Sequence, residues 1–209
     1  MYIAAFDPGK KNFAFCVERV EDIEPDSNRK YNVDGTPTEQ TKQLLDEVCS
    51  NGKVVLYDNV DIADKEDQKI YANLTEELDR HTDIWEKCEY FLIEKQMSFG
   101  SKINLPAIKI AQHIYSYFVI RYGMAKKIIE FAAYHKTQVL GAPKVLGKKR
   151  YQAMTKPQRK KWAVTKAIEI LQLRGEEDII EIINSRKKRD DLADVFLMCQ
   201  AFKVKGETP

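Results

Sequence analysis

The sequence predicts an α/β fold in which a mixed sheet carries helices on both faces. Three features predict it: two short apolar runs flanking an early turn, later apolar runs alternating with stretches of helical spacing, and two of those runs ending in a carboxylate. With 209 residues, 44% of them hydrophobic, the chain has the material for one good core. It is expected to form a single domain over 1–209 with a polar elaboration at about 21–60.

Tyr2 to Phe6 is rich in β-formers and delivers Asp7 to its end. Pro8-Gly9-Lys10-Lys11-Asn12 is turn chemistry, and Phe13 to Val17 resumes the apolar pattern, so a hairpin follows. Asp7 is then either an exposed turn-initiating acid or an acid at the end of a buried strand, where it needs a partner. Residues 21 to 52 are polar, with Asp-Ser-Asn and Asp-Gly-Thr-Pro turn signals and one helical patch from Thr41 to Val48, and are expected outside the core. Val54 to Ile62 reads as a third strand. Glu66 to Cys88 reads as a helix with Ile70, Leu74, Leu78 and Trp85 on its apolar side and His81 on the surface.

Tyr90 to Ile93 is continuously apolar, as a central strand should be, and ends at Glu94. Gln96 to Lys102 is a polar loop. A helix opens at Asn104 or Leu105-Pro106, carries Ile110, Ile114, Tyr117 and Phe118, and stops at Gly123; His113 within it is either packed or at the surface. Lys127 to Ala133 reads as a fifth strand, which places Lys136 just past its end, near Asp7 and Glu94. Helices follow from about Pro157 to Leu173 and from Glu176 to Asn184. The last helix opens with Arg189-Asp190-Asp191-Leu192-Ala193-Asp194. Asp191 and Asp194, and Asp190 and Asp194, fall on shared faces beside an apolar stripe. Acids in a first turn satisfy the helix dipole, but like charges crowded beside apolar residues are also relieved by a divalent cation.

The net charge of +2 conceals an asymmetry. Residues 18 to 94 hold 21 acids and 9 bases, a balance of −12, and the remainder holds 25 bases and 11 acids, a balance of +14. No acid occurs between Ala142 and Ile168, where Lys144, Lys148, Lys149, Arg150, Lys156, Arg159, Lys160, Lys161 and Lys166 lie around Tyr151 and Trp162. A polyanion partner accounts for such one-sided charge, with a solvated loop as the plainer alternative. No apolar run approaches the about 20 residues of a membrane span, and Met1 to Phe6 lacks the basic start of a signal peptide. Cys16, Cys49, Cys88 and Cys199 form no CxxC pair, as expected of reduced thiols in an intracellular protein.

This order of elements is the layout of ribonuclease-H-like nucleases, with a mixed five-stranded sheet. The sequence resembles one branch of them, the RuvC-like Holliday junction resolvases, above all the poxviral and fungal mitochondrial members. The resemblance is carried by Phe6-Asp7-Pro8-Gly9-Lys10-Lys11-Asn12-Phe13-Ala14, by Ile93-Glu94-Lys95-Gln96, by Lys187-Lys188-Arg189-Asp190-Asp191-Leu192-Ala193-Asp194, and by the stretch from Glu130 through Lys136 to Lys161. It implies Asp7, Glu94, Asp191 and Asp194 as catalytic metal-holding carboxylates, Lys136 as a lysine assisting at the scissile phosphate, and Asp190 as an acid supporting the site from behind. Lys10, Lys11, Gln96, Lys144, Lys148, Lys149, Arg150, Arg159, Lys160 and Lys161 are the candidate DNA contacts. Carboxylate-only sites prefer hard cations, so two Mg²⁺ ions per site are expected, with Mn²⁺ able to substitute. The implied activity is resolution of four-way junctions by paired phosphodiester cuts, which calls for a homodimer. The alternative is another ribonuclease-H-like nuclease acting on RNA–DNA hybrid or branched DNA. An actin-like ATPase, which shares the strand-Asp-x-Gly opening, needs a second phosphate loop, and Asp34-Gly35-Thr36 lies in the wrong context for one. An inert binding module of the same fold is disfavoured because every expected acid is present, and a structural protein with a basic patch has no need of Asp7 and Glu94 at strand ends. The poxviral flavour points to a viral replication site in an infected cell, with mitochondrion or nucleus as the other settings.

Overall fold

The computed structural model describes residues 1–21, 28–96, 103–148 and 150–206. The five main strands are β1 (Tyr2–Asp7), β2 (Phe13–Arg19), β3 (Lys53–Val60), β4 (Tyr90–Lys95) and β5 (Lys127–Ala132). Between and after them lie α1 (Glu39–Ser50), α2 (Asp67–Asp79), α3 (Thr82–Trp85), α4 (Leu105–Tyr122), α5 (Tyr134–Val139), the two-residue strands β6 (Val145–Leu146) and β7 (Tyr151–Gln152), α6 (Lys156–Arg174), α7 (Glu177–Ser185) and α8 (Arg189–Lys205).

The sheet order is β3-β2-β1-β4-β5. A short turn makes β1 and β2 antiparallel, and β3 continues the meander on β2. β4 lies parallel to β1, and β5 returns parallel to β4 after the long crossover through α4. β1 is the middle strand, and its interior residues Ile3, Ala4, Ala5 and Phe6 are all fully buried.

Alternation of side chains divides the core in two. On one face Ile3, Ala5, Ala14, Cys16 and Leu92 pack with residues of α1, α6, α7 and α8. The small side chains there let α8 lie close on the sheet, and α8 is buried from Leu192 to Val204 except at Asp194. On the other face Ala4, Phe6, Phe13, Phe15 and Phe91 pack with α2, α3 and α4. Aromatic rings fill that layer, with Phe91 and Phe118 centroids 4.0 Å apart and Trp85 edge-on to Phe118. The mixed sheet with helices on both faces is therefore present as expected. Cys16, Cys49, Cys88 and Cys199 are free and buried.

Three local expectations need correction. Residues 21 to 52 are not wholly outside the core: α1, capped by the Thr38 hydroxyl, buries Leu45, Val48 and Cys49 against α6 and α8. Three apolar positions at i, i+3 and i+4 make one face, which the polar average of the stretch conceals. The helix expected over Glu66 to Cys88 breaks at Arg80 and His81. The Leu78 carbonyl accepts the Trp85 indole N–H at 2.6 Å, so the ring folds back beneath the end of α2. His81 is half-buried rather than on the surface, 3.2 Å from Glu77 and between the rings of Phe15 and Trp85. His113 is packed, its ring nitrogen 2.9 Å from the Thr75 hydroxyl.

Within the basic stretch, β6 and β7 form a small exposed hairpin. Lys149, and residues 97 to 102 of the polar loop after Gln96, lie outside the described residues.

Candidate active site

β1 and β4 run side by side with Phe6 paired to Ile93, so the next residues, Asp7 and Glu94, arrive together at the C-terminal ends of the central strands. The two-residue period then aims them. Ile3 and Ala5 on β1, and Leu92 on β4, face α8, so Asp7 and Glu94 at the same parity face α8 as well. Asp194 comes to meet them from the second turn of α8.

Lys136, on α5 just past β5, closes the group. Its ammonium donates to Glu94 Oε1 at 2.8 Å and lies 3.1 Å from Asp194 Oδ1. The lysine side chain is 5% exposed, against 15% for Glu94 and 30% for Asp194. Gln96 Nε2 donates to Glu94 Oε2 at 3.3 Å, and Asp7 shares a hydrogen bond with the same carboxylate.

Three acids around one ammonium cannot all be comfortable as anions. Burial pushes the Asp7 carboxyl well above its usual range, the Glu94 charge adds to the rise, and Lys136 pulls against it. Burial also raises Asp194, with Lys136 again opposing. Burial pushes Glu94 up too, but the Lys136 ammonium and the hydrogen bonds from Lys136, Asp7 and Gln96 bring it below its ordinary value. Lys136 is driven up against its own desolvation by Asp194, Glu94 and Asp7. Glu94 is thus the acid best stabilised as an anion, and Asp7 the one most strongly pushed toward its neutral form.

One turn earlier on α8, Asp190 pairs with Lys160 from the first turns of α6. Burial works to raise the Asp190 carboxyl, and the bond and charge of Lys160 hold it down. Asp191, beside it, is pushed up to about 6 by burial and by the Asp190 charge. Asp191 and Asp194 both act electrostatically on Asp7, so all the acids singled out in the sequence share one field. Among the described residues, no three Asp, Glu, His or Cys side chains stand close enough to hold a metal ion in this arrangement.

Of the candidate DNA contacts, Gln96 touches the group through Glu94, and the basic residues lie on other elements. Lys10 and Lys11 sit in the turn between β1 and β2, with Lys10 Nζ 3.8 Å from Asp67. Lys144, Lys148 and Arg150 are exposed on and beside the β6–β7 hairpin. Arg159 and Lys161 are exposed at the start of α6, where Arg159 also donates to the Met154 carbonyl at 3.3 Å. Lys160 differs from its neighbours: it reaches inward to Asp190. A pairing between residues 30 apart leaves no trace in a single sequence, and the most that could have been read was an acid in surplus opposite a base in surplus.

No family model matches the chain. Uncharacterized protein 170L of Invertebrate iridescent virus 6 is 32% identical to it over 236 residues, covering 97% of this chain and 89% of the relative. Uncharacterized protein 97L of Invertebrate iridescent virus 3 is 32% identical over 219 residues, covering 96% and 98%. Among solved structures, RuvC from Thermus thermophilus superposes with a TM-score of 0.55 at 11% identity, covering 97% of this chain and 95% of that one. The same protein in complex with Holliday junction substrate gives 0.54 at 12% identity, covering 100% and 98%. The fowlpox virus Holliday junction resolvase gives 0.50 at 16% identity, covering 97% and 98%. At these identities the likeness establishes the fold, which is RuvC-like and ribonuclease-H-like. Among the described residues, no helix is long and apolar enough to cross a membrane.

Proposed function

We propose that this chain, which belongs to one family with the iridescent-virus proteins 170L and 97L, is a metal-dependent endonuclease that resolves four-way DNA junctions by paired phosphodiester cuts. One observation carries the reading: Asp7, Glu94 and Asp194, from three separate elements, converge around Lys136 at the end of the sheet, beside an acid-free basic segment. The donor set fits a hard divalent cation in its chemistry, since every candidate ligand is a carboxylate oxygen and negative charge is in excess. Asp7, Glu94, Asp191 and Asp194 would hold Mg²⁺, with Mn²⁺ as a substitute. Two bound ions would supply an activated water and stabilise the leaving 3′-oxygen.

The chain's own residues do the rest. Gln96 holds the Glu94 carboxylate in orientation through its 3.3 Å hydrogen bond. Lys136 places a positive charge among the acids, where a scissile phosphate would approach. Lys10, Lys11, Lys144, Lys148, Lys149, Arg150, Arg159 and Lys161 grip backbone phosphates, and Lys160, tied to Asp190, marks the boundary between grip and site. A two-fold junction needs two matched cuts, so the working form is a homodimer. With relatives from iridescent viruses, the setting is replicating viral DNA in an infected cell.

The test is cleavage of a four-way junction, linear duplex and RNA–DNA hybrid by the purified protein with Mg²⁺. Paired nicks in the junction, leaving 5′-phosphate and 3′-hydroxyl ends, are expected. Cleavage of the hybrid with none of the junction would transfer the reading to a different ribonuclease-H-like nuclease.

A further inference from the structure

The ammonium of Lys136 occupies the place among the acids where a cation would be held. It bridges Glu94 Oε1 at 2.8 Å and Asp194 Oδ1 at 3.1 Å, joining a carboxylate of the sheet to one of α8. The other Glu94 oxygen receives Gln96 Nε2 at 3.3 Å. A divalent ion entering between Glu94 and Asp194 therefore meets both Glu94 oxygens and Asp194 Oδ1 already partnered. Lys160, another cation of the neighbourhood, is placed differently: among the described residues its ion pair is with Asp190, and its side chain is 38% exposed.

We propose that Lys136 is the resident counterion of the carboxylate site and that a divalent cation binds by displacing its ammonium from Glu94 and Asp194. Metal uptake is then an exchange of one cation for another. Its affinity is set by the difference between the two, and the freed ammonium, on a flexible four-carbon stem, becomes available to the DNA phosphate at the step when the metal arrives. The inference rests on the metal-dependent reading above and adds a residue that regulates loading of that site.

Two measurements on the full chain test it. In protein labelled with ¹⁵N-lysine, the ε-ammonium resonance of Lys136 should move or vanish as Mg²⁺ saturates the site, while that of Lys203, buried far from the site, stays in place. A Lys136 resonance unmoved at saturation overturns the proposal. Separately, Mn²⁺ affinity is read by electron paramagnetic resonance. Lys136→Met should bind Mn²⁺ at least about tenfold more tightly than the parent, because no ammonium has to be evicted from between two buried carboxylates. Lys160→Met, which removes a nearby charge that bridges nothing, should change affinity less than about threefold. Equal gains in the two variants, or no gain in Lys136→Met, overturn displacement. If Lys136→Met fails to fold, the ammonium titration of the parent protein decides alone. A parent protein that takes up no Mn²⁺ at millimolar concentration would overturn the metal-dependent reading itself, and the exchange with it.

Discussion

The sheet buries ionic groups at both of its ends, and the two clusters differ in balance. At one end Glu18 on β2 is fully buried, and its carboxylate receives Lys203 at 2.9 Å, Arg174 at 2.7 Å and Gln200 at 2.7 Å. Glu176 joins through Arg174 at 3.4 Å and accepts the Val54 backbone N–H at 2.9 Å, so two acids face two bases and every oxygen has a donor. At the other end Asp7, Glu94 and Asp194 surround Lys136, and one turn away Asp190 and Asp191 face Lys160 with the charge of Lys188 nearby, so five acids outnumber three bases. Desolvation is costly at both ends, and the balanced cluster offsets it within the chain. The unbalanced one leaves negative charge to be neutralised from outside, by protons or by a metal. Surplus of one sign, rather than burial of charge, is what distinguishes the proposed active site from the balanced cluster.

Breaking the unbalanced end should abolish chemistry. Asp7→Asn or Glu94→Gln is expected to cut junction cleavage by more than about a hundredfold while junction binding in a gel-shift assay is retained, since ligand loss exceeds the usual cost of outer-shell changes. Breaking the balanced end should instead be a matter of stability. Glu18→Gln or Lys203→Met strands a buried charge and should cost about 3–5 kcal/mol in urea unfolding. In the metal-free protein Asp194→Asn, which removes surplus charge, should change stability by less than about 1 kcal/mol. A large loss from Asp194→Asn would erase the distinction between the two ends.

The pH dependence sharpens the same contrast. Asp7, Asp191 and Asp194 have raised folded-state values, so the folded protein holds protons that the unfolded chain releases at ordinary carboxylate pH. The contribution of these three groups to metal-free stability should therefore be greatest below that range and fall as pH rises through it, past about 6 for Asp191, while Glu94 and Asp190, held low, contribute with the opposite sign. Saturating Mg²⁺ should flatten this slope in thermal unfolding followed across pH. The smallest effect is expected at the basic approach, where Lys161→Met should weaken DNA binding and lower the slope of log affinity against log salt by about 1.

Much of the fold was legible because strand and helix periods are local. The runs Tyr2 to Phe6 and Tyr90 to Ile93, Asn104 as a cap and Gly123 as a stop all express themselves within a few residues. The site was legible for a related reason: two apolar strands each ending in an acid declare a shared edge once the strands are parallel neighbours. Partnership was only partly legible: the strand ends placed Lys136 near Asp7 and Glu94, but not which acids it would bridge, nor the other pairs. Lys136 and Glu94 are 42 residues apart, Lys160 and Asp190 are 30 apart, and Lys203 and Glu18 are 185 apart. Nothing local distinguishes a lysine that will bridge two carboxylates from one that will meet DNA. The helical patch from Thr41 to Val48 was legible as part of α1, but its burial was not, because its buried apolar side chains are outnumbered by polar neighbours.

α6 and α8 each run from one end of the sheet to the other. Lys160 and Asp190 stand near their starts, and Arg174 and Lys203 stand near their finishes against Glu18, a span of about 20 Å in each helix. The pair of helices is clamped at its tail and loaded at its tip. On the proposed reading the tip exchanges cations, while the spacing of its basic and acidic members is held by the buried cluster around Glu18 at the far end. Engineering of cutting and engineering of durability can accordingly proceed on opposite halves of the same two rods.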